Sequence, residues 1–267
     1  MDRSDEVKHA VQEQFGKNAQ QYVESKTHAQ GDDLQLLVQW LTPQTSWKVL
    51  DIATGGGHVA RTLAPHVAQV VATDLTRPML AAAAQANQAE KNILYVQADA
   101  ESLPFLNESF DLVTCRIAAH HFPDPSAFVR EVSRVLRPGG WFLFIDNVSP
   151  EANELASFVN LVEQTRDPSH VRCLSVMEWR ELHSAHDLVE CKQRLRKKPF
   201  AFLPWVQRTS ESPEQEKAVE QMLLAAPKDI QAYVGLQIEQ GRVMTYQIDE
   251  WMVMCQKQGG TQHDTNI

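Results

Sequence analysis

Between residues 47 and 145, short uninterrupted apolar runs alternate with stretches of helical period, the pattern of a parallel sheet wound with helices on both faces. Residues 47–52 read as a first buried strand, and residues 58–63 open the helix behind it. Residues 67–73 alternate into a second strand closed by Asp74, and residues 93–97 form a third that runs into Ala98-Asp99-Ala100. Residues 78–90 predict an alanine-rich helix begun by a proline, and residues 126–136 another. Arg137-Pro138-Gly139-Gly140 then reads as a turn delivering a further strand at 141–145. Connections of this type are right-handed. Ahead of the sheet, residues 6–40 look like two helices around a break at 26–31.

After Pro150 the rhythm changes: residues 151–163 and 177–186 are amphipathic helices, followed by a Pro- and Trp-containing stretch at 199–205. The expected division is an N-terminal helical arm over 1–45, a cofactor-binding core over 46–150, a helical cap over 151–187, and C-terminal strands with a further helical insertion over 188–267. Phe158, Trp179, Phe200, Phe202 and Trp205 line an aromatic pocket or form ordinary core.

Composition narrows the classes. A chain of 267 residues with 43% hydrophobic content buries one substantial core with an appended subdomain. A formal charge of −9 speaks against nucleic acid as the main partner. The basic run Arg194-Leu195-Arg196-Lys197-Lys198 follows a strand at 188–191 and reads as a solvated strand end or loop, with RNA contact the lesser alternative. Neither the four cysteines nor the ten histidines form a ligand pattern, so reduced thiols and no metal are expected. The charged N-terminus lacks an apolar signal region and no apolar run is long enough to span a bilayer; the expected location is cytoplasmic.

The most informative segment is Val49-Leu50-Asp51-Ile52-Ala53-Thr54-Gly55-Gly56-Gly57, a strand running through an acid into a glycine loop at the start of a helix. Backbone N–H groups there, with the helix dipole, hold a carboxylate or phosphate. A dinucleotide fits in part: Gly55, Gly57 and Ala60 satisfy G-x-G-x-x-A, and Asp74 follows Gly55 by 19 residues. Asp51 opposes it, because a carboxylate at the strand end repels a pyrophosphate and attracts a cation such as the ammonium and sulfonium of S-adenosylmethionine. No Tyr-x-x-x-Lys or similar pair supports an NAD-dependent oxidoreductase. Three acids, Asp51, Asp74 and Asp99, close three successive strands. Asp74 is placed to accept two ribose hydroxyls and Asp99 an adenine amino group; their plainer roles are loop, helix and turn capping.

With these segments, Asp74 to Leu80, Gln97 to Phe105, Phe110 to Arg116 and Arg134 to Gly140, the chain resembles class I S-adenosylmethionine-dependent methyltransferases, in the small-molecule branch related to ubiquinone/menaquinone methyltransferases. The resemblance covers about residues 14–150 and implies a Rossmann-like α/β fold, mainly parallel, with an antiparallel pair at the sheet edge from residues 188–194 and 243–255. It also implies that Asp51, Gly55 and Gly57 surround the methionine part of the cofactor, Asp74 and Leu75 the ribose, and Asp99 and Ala100 the adenine, with the backbone near Arg116 completing the pocket and Ala53 and Met79 among the cofactor-binding residues. The arm folds over the cofactor with Tyr22, His28 and Gly31 near the methionine end, or is simply a helical cover with Phe15 and Tyr22 in its core.

Methyl transfer needs a base only where the acceptor must lose a proton. His120 and His121 follow the fourth strand, and Asp146 ends the next one, so a His–Asp pair across neighbouring strand ends resembles those of sugar and phenol O-methyltransferases. The alternative is that one histidine only packs or lines the pocket. The expected function is methylation of a small-molecule acceptor, O- or C-directed, releasing S-adenosylhomocysteine, by a monomer or homodimer. An oxidoreductase and a catalytically silent binding module are the other readings.

Overall fold

In this computed structural model, residues 3–24 and 31–259 are described. Helix α1 (Arg3–Glu24) and α2 (Asp32–Leu41) precede β1 (Lys48–Ile52), α3 (His58–Leu63), β2 (Gln69–Asp74), α4 (Arg77–Ala86), β3 (Ile93–Gln97), β4 (Phe110–Arg116), α5 (Pro125–Val135) and β5 (Leu136–Val148). The remaining elements are α6 (Asn153–Arg166), α7 (Val176–Ala185), β6 (Leu188–Ala201), α8 (Phe202–Val206), α9 (Pro213–Ala225), α10 (Lys228–Tyr233), β7 (Gln237–Glu239) and β8 (Arg242–Lys257). The sheet runs β3-β2-β1-β4-β5-β8-β6, with β7 beside β8. β1 to β5 are parallel; β8 is antiparallel to both β5 and β6.

Sequence signals explain the element ends. Asp124 caps α5 by accepting from the Ala127 N–H at 2.9 Å, with Pro125 in the first turn. Ser175 and Glu178 form a capping box on α7. β5 begins earlier than the expected turn, at Leu136, and residues 137–140 bulge out between the pairs Phe110–Leu136 and Leu112–Trp141, with Gly139 at φ 76°.

Both faces of the central strands are buried, while the outer strand β6 is largely exposed. Along β8, Trp251, Val253 and Cys255 point to one face, Met252 and Met254 to the other. On the first face lie α5, through Phe128, Val129 and Val132, and α7 through Trp179; on the second lie α2 and α3, through Leu34, Leu37, Leu41 and Leu63. A separate apolar cluster joins α6, α8, α9 and the first half of β8 around Trp205 and Tyr246. Among the described residues no helix is long and apolar enough to cross a membrane.

The five expected pocket aromatics divide among these layers. Trp179 is 1% exposed and packs on Phe144 at 4.6 Å between ring centroids, so it is core. Phe202 and Phe158 belong to the second cluster, while Phe200 and Trp205 line a cavity described below. Trp179→Ala should cost roughly 3–5 kcal/mol through the cavity it leaves; an unfolding free energy from denaturant titration lowered by less than a third of that amount would place the ring outside the core.

One expectation is corrected. The basic run 194–198 is the middle of a 14-residue strand, not its solvated end or a loop. Arg194 and Arg196 reach Asp32 of α2 at 3.0 and 2.6 Å, and Lys198 reaches the buried Glu250 at 2.6 Å. These partners lie far away in sequence, which is why the run looked unpaired. On an outer strand, alternating charges also discourage edge-to-edge pairing.

Candidate active site

Strand order reverses between β1 and β4, and the crevice beyond their carboxyl ends is where an open α/β sheet takes a ligand. Each of the two strands hands over to a residue in the left-handed region, Ala53 at φ 50° and Ile117 at φ 54°. For β-branched Ile117 that conformation is strained, and its N–H is held by the Ile145 carbonyl at 2.6 Å.

A cleft opens there, about 1040 Å³ counting the space at its mouth that is continuous with solvent. Of the residues expected to hold a cofactor, Tyr22, Asp51, Ala53, Gly55, Asp74, Leu75, Met79, Asp99, Ala100 and Arg116 all line it. His28 lies outside the described residues. Gly57 does not line the cavity; Gly56 does. Gly57 stands at φ 75° at the start of α3, where an added Cβ would lie 2.4 Å from the Asn87 side chain and 3.2 Å from Ala83 of α4. Its glycine is required by backbone and helix packing. Gly56 serves another purpose: a Cβ there would come within 3.0 Å of the Tyr22 carbonyl, so the arm rests directly on the loop.

The three strand-end acids have distinct surroundings. Asp51 is 1% exposed and accepts from the hydroxyls of Thr54 at 2.6 Å and Thr114 at 2.7 Å. Burial outweighs these bonds and pushes its pKa up to about 6. Asp74 accepts from the backbone N–H of Gly55 at 3.1 Å and of Thr76 at 2.8 Å, which ties the glycine loop to β2; burial raises its pKa. Asp99 is met by Lys8 of α1 at 2.7 Å, and the same ammonium reaches Glu101 at 2.6 Å. Arg116 is ion-paired with buried Asp33 of α2, beside Gly31. The Nε2–H of His58 donates to the Tyr22 carbonyl at 3.1 Å, again joining arm to loop.

A second cavity of about 570 Å³ adjoins the first. Phe15, Tyr22, Ile117 and His121 line both. His120 lines the second, and behind it Asp146, fully buried, accepts the His120 Nδ1–H at 2.6 Å and its backbone N–H at 3.0 Å. Burial alone would lower the pKa of His120, but the charge and hydrogen bond of Asp146 prevail and hold it above its ordinary value. His121 donates Nδ1–H to the Ser169 carbonyl at 2.9 Å; burial and the charge of His120 lower its pKa to about 4. His170 lies 5.6 Å from His120 between ring centroids and is driven to about 2 by burial and both neighbours. One histidine of the three is therefore basic.

Sequence reading missed Lys8, His58 and His170, placed Phe15 only in the core of the arm, and did not single out Arg166 and Arg208 on the second cavity. Each belongs to a polar or amphipathic stretch whose partner is supplied by tertiary packing. Only the spacing of Lys8 one helix face from Phe15 hinted at a shared surface.

Residues 50–144 match the family described as a methyltransferase domain. Over 207 residues the chain is 39% identical to the uncharacterized methyltransferase YcgJ of Bacillus subtilis, covering 77% of this chain and 82% of the relative. The chain belongs to the class I S-adenosylmethionine-dependent methyltransferases. The crystal structure of YcgJ matches this methyltransferase with a TM-score of 0.82 at 34% identity, over 85% of this chain and 98% of the other. A protein described as a methyltransferase from Bacillus halodurans C-125 matches with a TM-score of 0.83 at 36% identity, over 86% and 100%. More distant in extent, the ubiquinone/menaquinone biosynthesis C-methyltransferase UbiE of Bartonella tribocorum is 37% identical to this methyltransferase over 120 residues, 41% of this chain and 45% of that one.

Proposed function

We propose that this chain binds S-adenosylmethionine in the larger cavity and methylates a small molecule held in the adjoining one, at oxygen or carbon. The observation that carries the reading is the common wall of Phe15, Tyr22, Ile117 and His121, with the His120–Asp146 pair on the acceptor side. The lining suits this cofactor. Asp51 is a buried carboxylate whose hydrogen-bond partners are threonine hydroxyls, so a cationic ligand beside it is welcome and a pyrophosphate is not. Asp74 keeps acceptor capacity for ribose hydroxyls, and Asp99 with Ala100 stands where an adenine edge would be met.

S-Adenosylmethionine, when bound, supplies an electrophilic methyl on a sulfonium. The chain's residues do the remainder. Phe15 and Tyr22 exclude water on the arm side. Asp146 fixes the tautomer of His120 with the proton on Nδ1, leaving Nε2 to take a proton from an acceptor hydroxyl or acidic carbon. His121, neutral with its Nδ1–H committed to Ser169, offers only an acceptor nitrogen.

Calorimetric titration with S-adenosylhomocysteine, S-adenosylmethionine and NADH tests the cofactor. Saturable binding of both adenosyl sulfur compounds and none of NADH is expected. Binding of NADH alone would return the glycine loop to a dinucleotide.

A further inference from the structure

Of the three cations on the wall of the second cavity, two are held by an acid in contact with them and one is not. Lys198 gives its ammonium to Glu250 at 2.6 Å. Arg166 is held by Glu163 at 2.9 Å and by the Trp205 carbonyl at 3.1 Å, with its guanidinium 4.4 Å from the Trp205 ring centroid. The acid on this wall, Asp167, is already engaged, accepting the Ser169 N–H at 3.0 Å and hydroxyl at 2.6 Å.

Arg208 stands apart. Among the described residues its guanidinium has no carboxylate at ion-pair distance and no hydrogen-bond acceptor; the Phe200 ring lies 5.7 Å away. It is half-buried, and its pKa is lowered by burial and by the charge of Arg166, as expected of a cation lacking its counter-charge. Its nitrogens stay accessible to solvent within the cavity, where they can donate to a ligand. Its planar fork matches the two oxygens of a carboxylate or phosphate.

We propose that the methyl acceptor is a small molecule bearing an oxyanion, a carboxylate or a phosphate monoester, and that Arg208 holds that group in the second cavity. The proposal rests on reading this cavity as the acceptor's. Arg166 stays with Glu163, and anchoring the anion at Arg208 leaves the rest of the acceptor to reach the wall shared with the larger cavity. Arg208 is thus a specificity residue: it sets which molecules enter and how they lie.

The test is a binding measurement on the full chain saturated with S-adenosylhomocysteine, read by tryptophan fluorescence, since Trp205 lines the cavity. The probes are benzoate, phenyl phosphate and neutral benzyl alcohol, with wild type, Arg208→Gln and Arg208→Lys. At least one anion should bind about tenfold or more tightly than the alcohol, as a charge-assisted bidentate contact provides. Which anion wins separates carboxylate from phosphate. Arg208→Gln should bring the anions level with the alcohol, Arg208→Lys should recover part of the difference, and neither should change affinity for S-adenosylhomocysteine. Equal binding of the alcohol, no saturable anion binding, or an anion preference that survives Arg208→Gln would overturn the proposal. Failure of S-adenosylhomocysteine to bind wild type is a different result, and it would remove the methyltransferase reading itself.

Discussion

Replacing His120 by alanine should lower kcat by about 10²–10⁴-fold, the usual contribution of a positioned general base, while affinity for S-adenosylhomocysteine stays near wild type. The cofactor half of that expectation follows from placement: His120 lines the second cavity and not the first. The pH dependence has a definite sign. Because Asp146 holds the imidazole above its ordinary pKa, the protonated ring persists to higher pH than in a free histidine, and only the neutral ring can accept a proton. Activity should rise with pH through an inflection above 6.5. Asp146→Asn should move that inflection down and lower the plateau, since an amide cannot accept at both of its ends from the ring and backbone N–H groups that Asp146 now satisfies. A flat profile, or an alanine variant with undiminished kcat, would mean that the acceptor reaches the site already deprotonated or needs no deprotonation.

The second large effect concerns Asp51. Its pKa of about 6 lies above the ordinary carboxylate value because of burial, so the fold disfavours the ionised form. The resulting contribution to stability is present below the unfolded carboxylate pKa and is lost as pH rises through 6. A cationic ligand reverses that preference. Affinity for S-adenosylmethionine should therefore fall as pH drops below about 6, as the carboxylate becomes protonated. Asp51→Asn should weaken binding at pH 7.5 by roughly 10- to 150-fold, the worth of a hydrogen bond to a charged group, and flatten the dependence on pH. The apo-protein should not lose stability at that pH, because the charge removed was unfavourable. Calorimetry at pH 5.5 and 7.5, with thermal unfolding of both proteins, measures all three; a variant that binds normally would confine Asp51 to ordering the loop through Thr54 and Thr114.

The central sheet was legible because buried parallel strands are written as continuous apolar runs, and acids at their carboxyl ends stand out against them. Asp51, Asp74 and Asp99 could be placed at one edge on that basis alone. So could the pairing of His120 with Asp146, two residues that end adjacent strands. Gly57 lies behind the cavity wall that Gly56 lines, a distinction a glycine motif does not carry, because it does not say which member faces the cavity and which faces a neighbouring helix. The run at 194–198 was misread because its partners, Asp32 and Glu250, are invisible to any local window. Arg208 was not singled out at all, since an arginine in a polar stretch signals a binding group only when its surroundings are seen to leave it without a counter-ion.

The arm determines more than the shape of the site. Lys8 of α1 bridges Asp99 and Glu101, the Tyr22 carbonyl is held by His58, and Phe15 and Tyr22 line both cavities. Lifting that helix uncovers the two chambers together. A displacement of α1 that opened one chamber would open the other with it, and would have to part the ion pairs of Lys8.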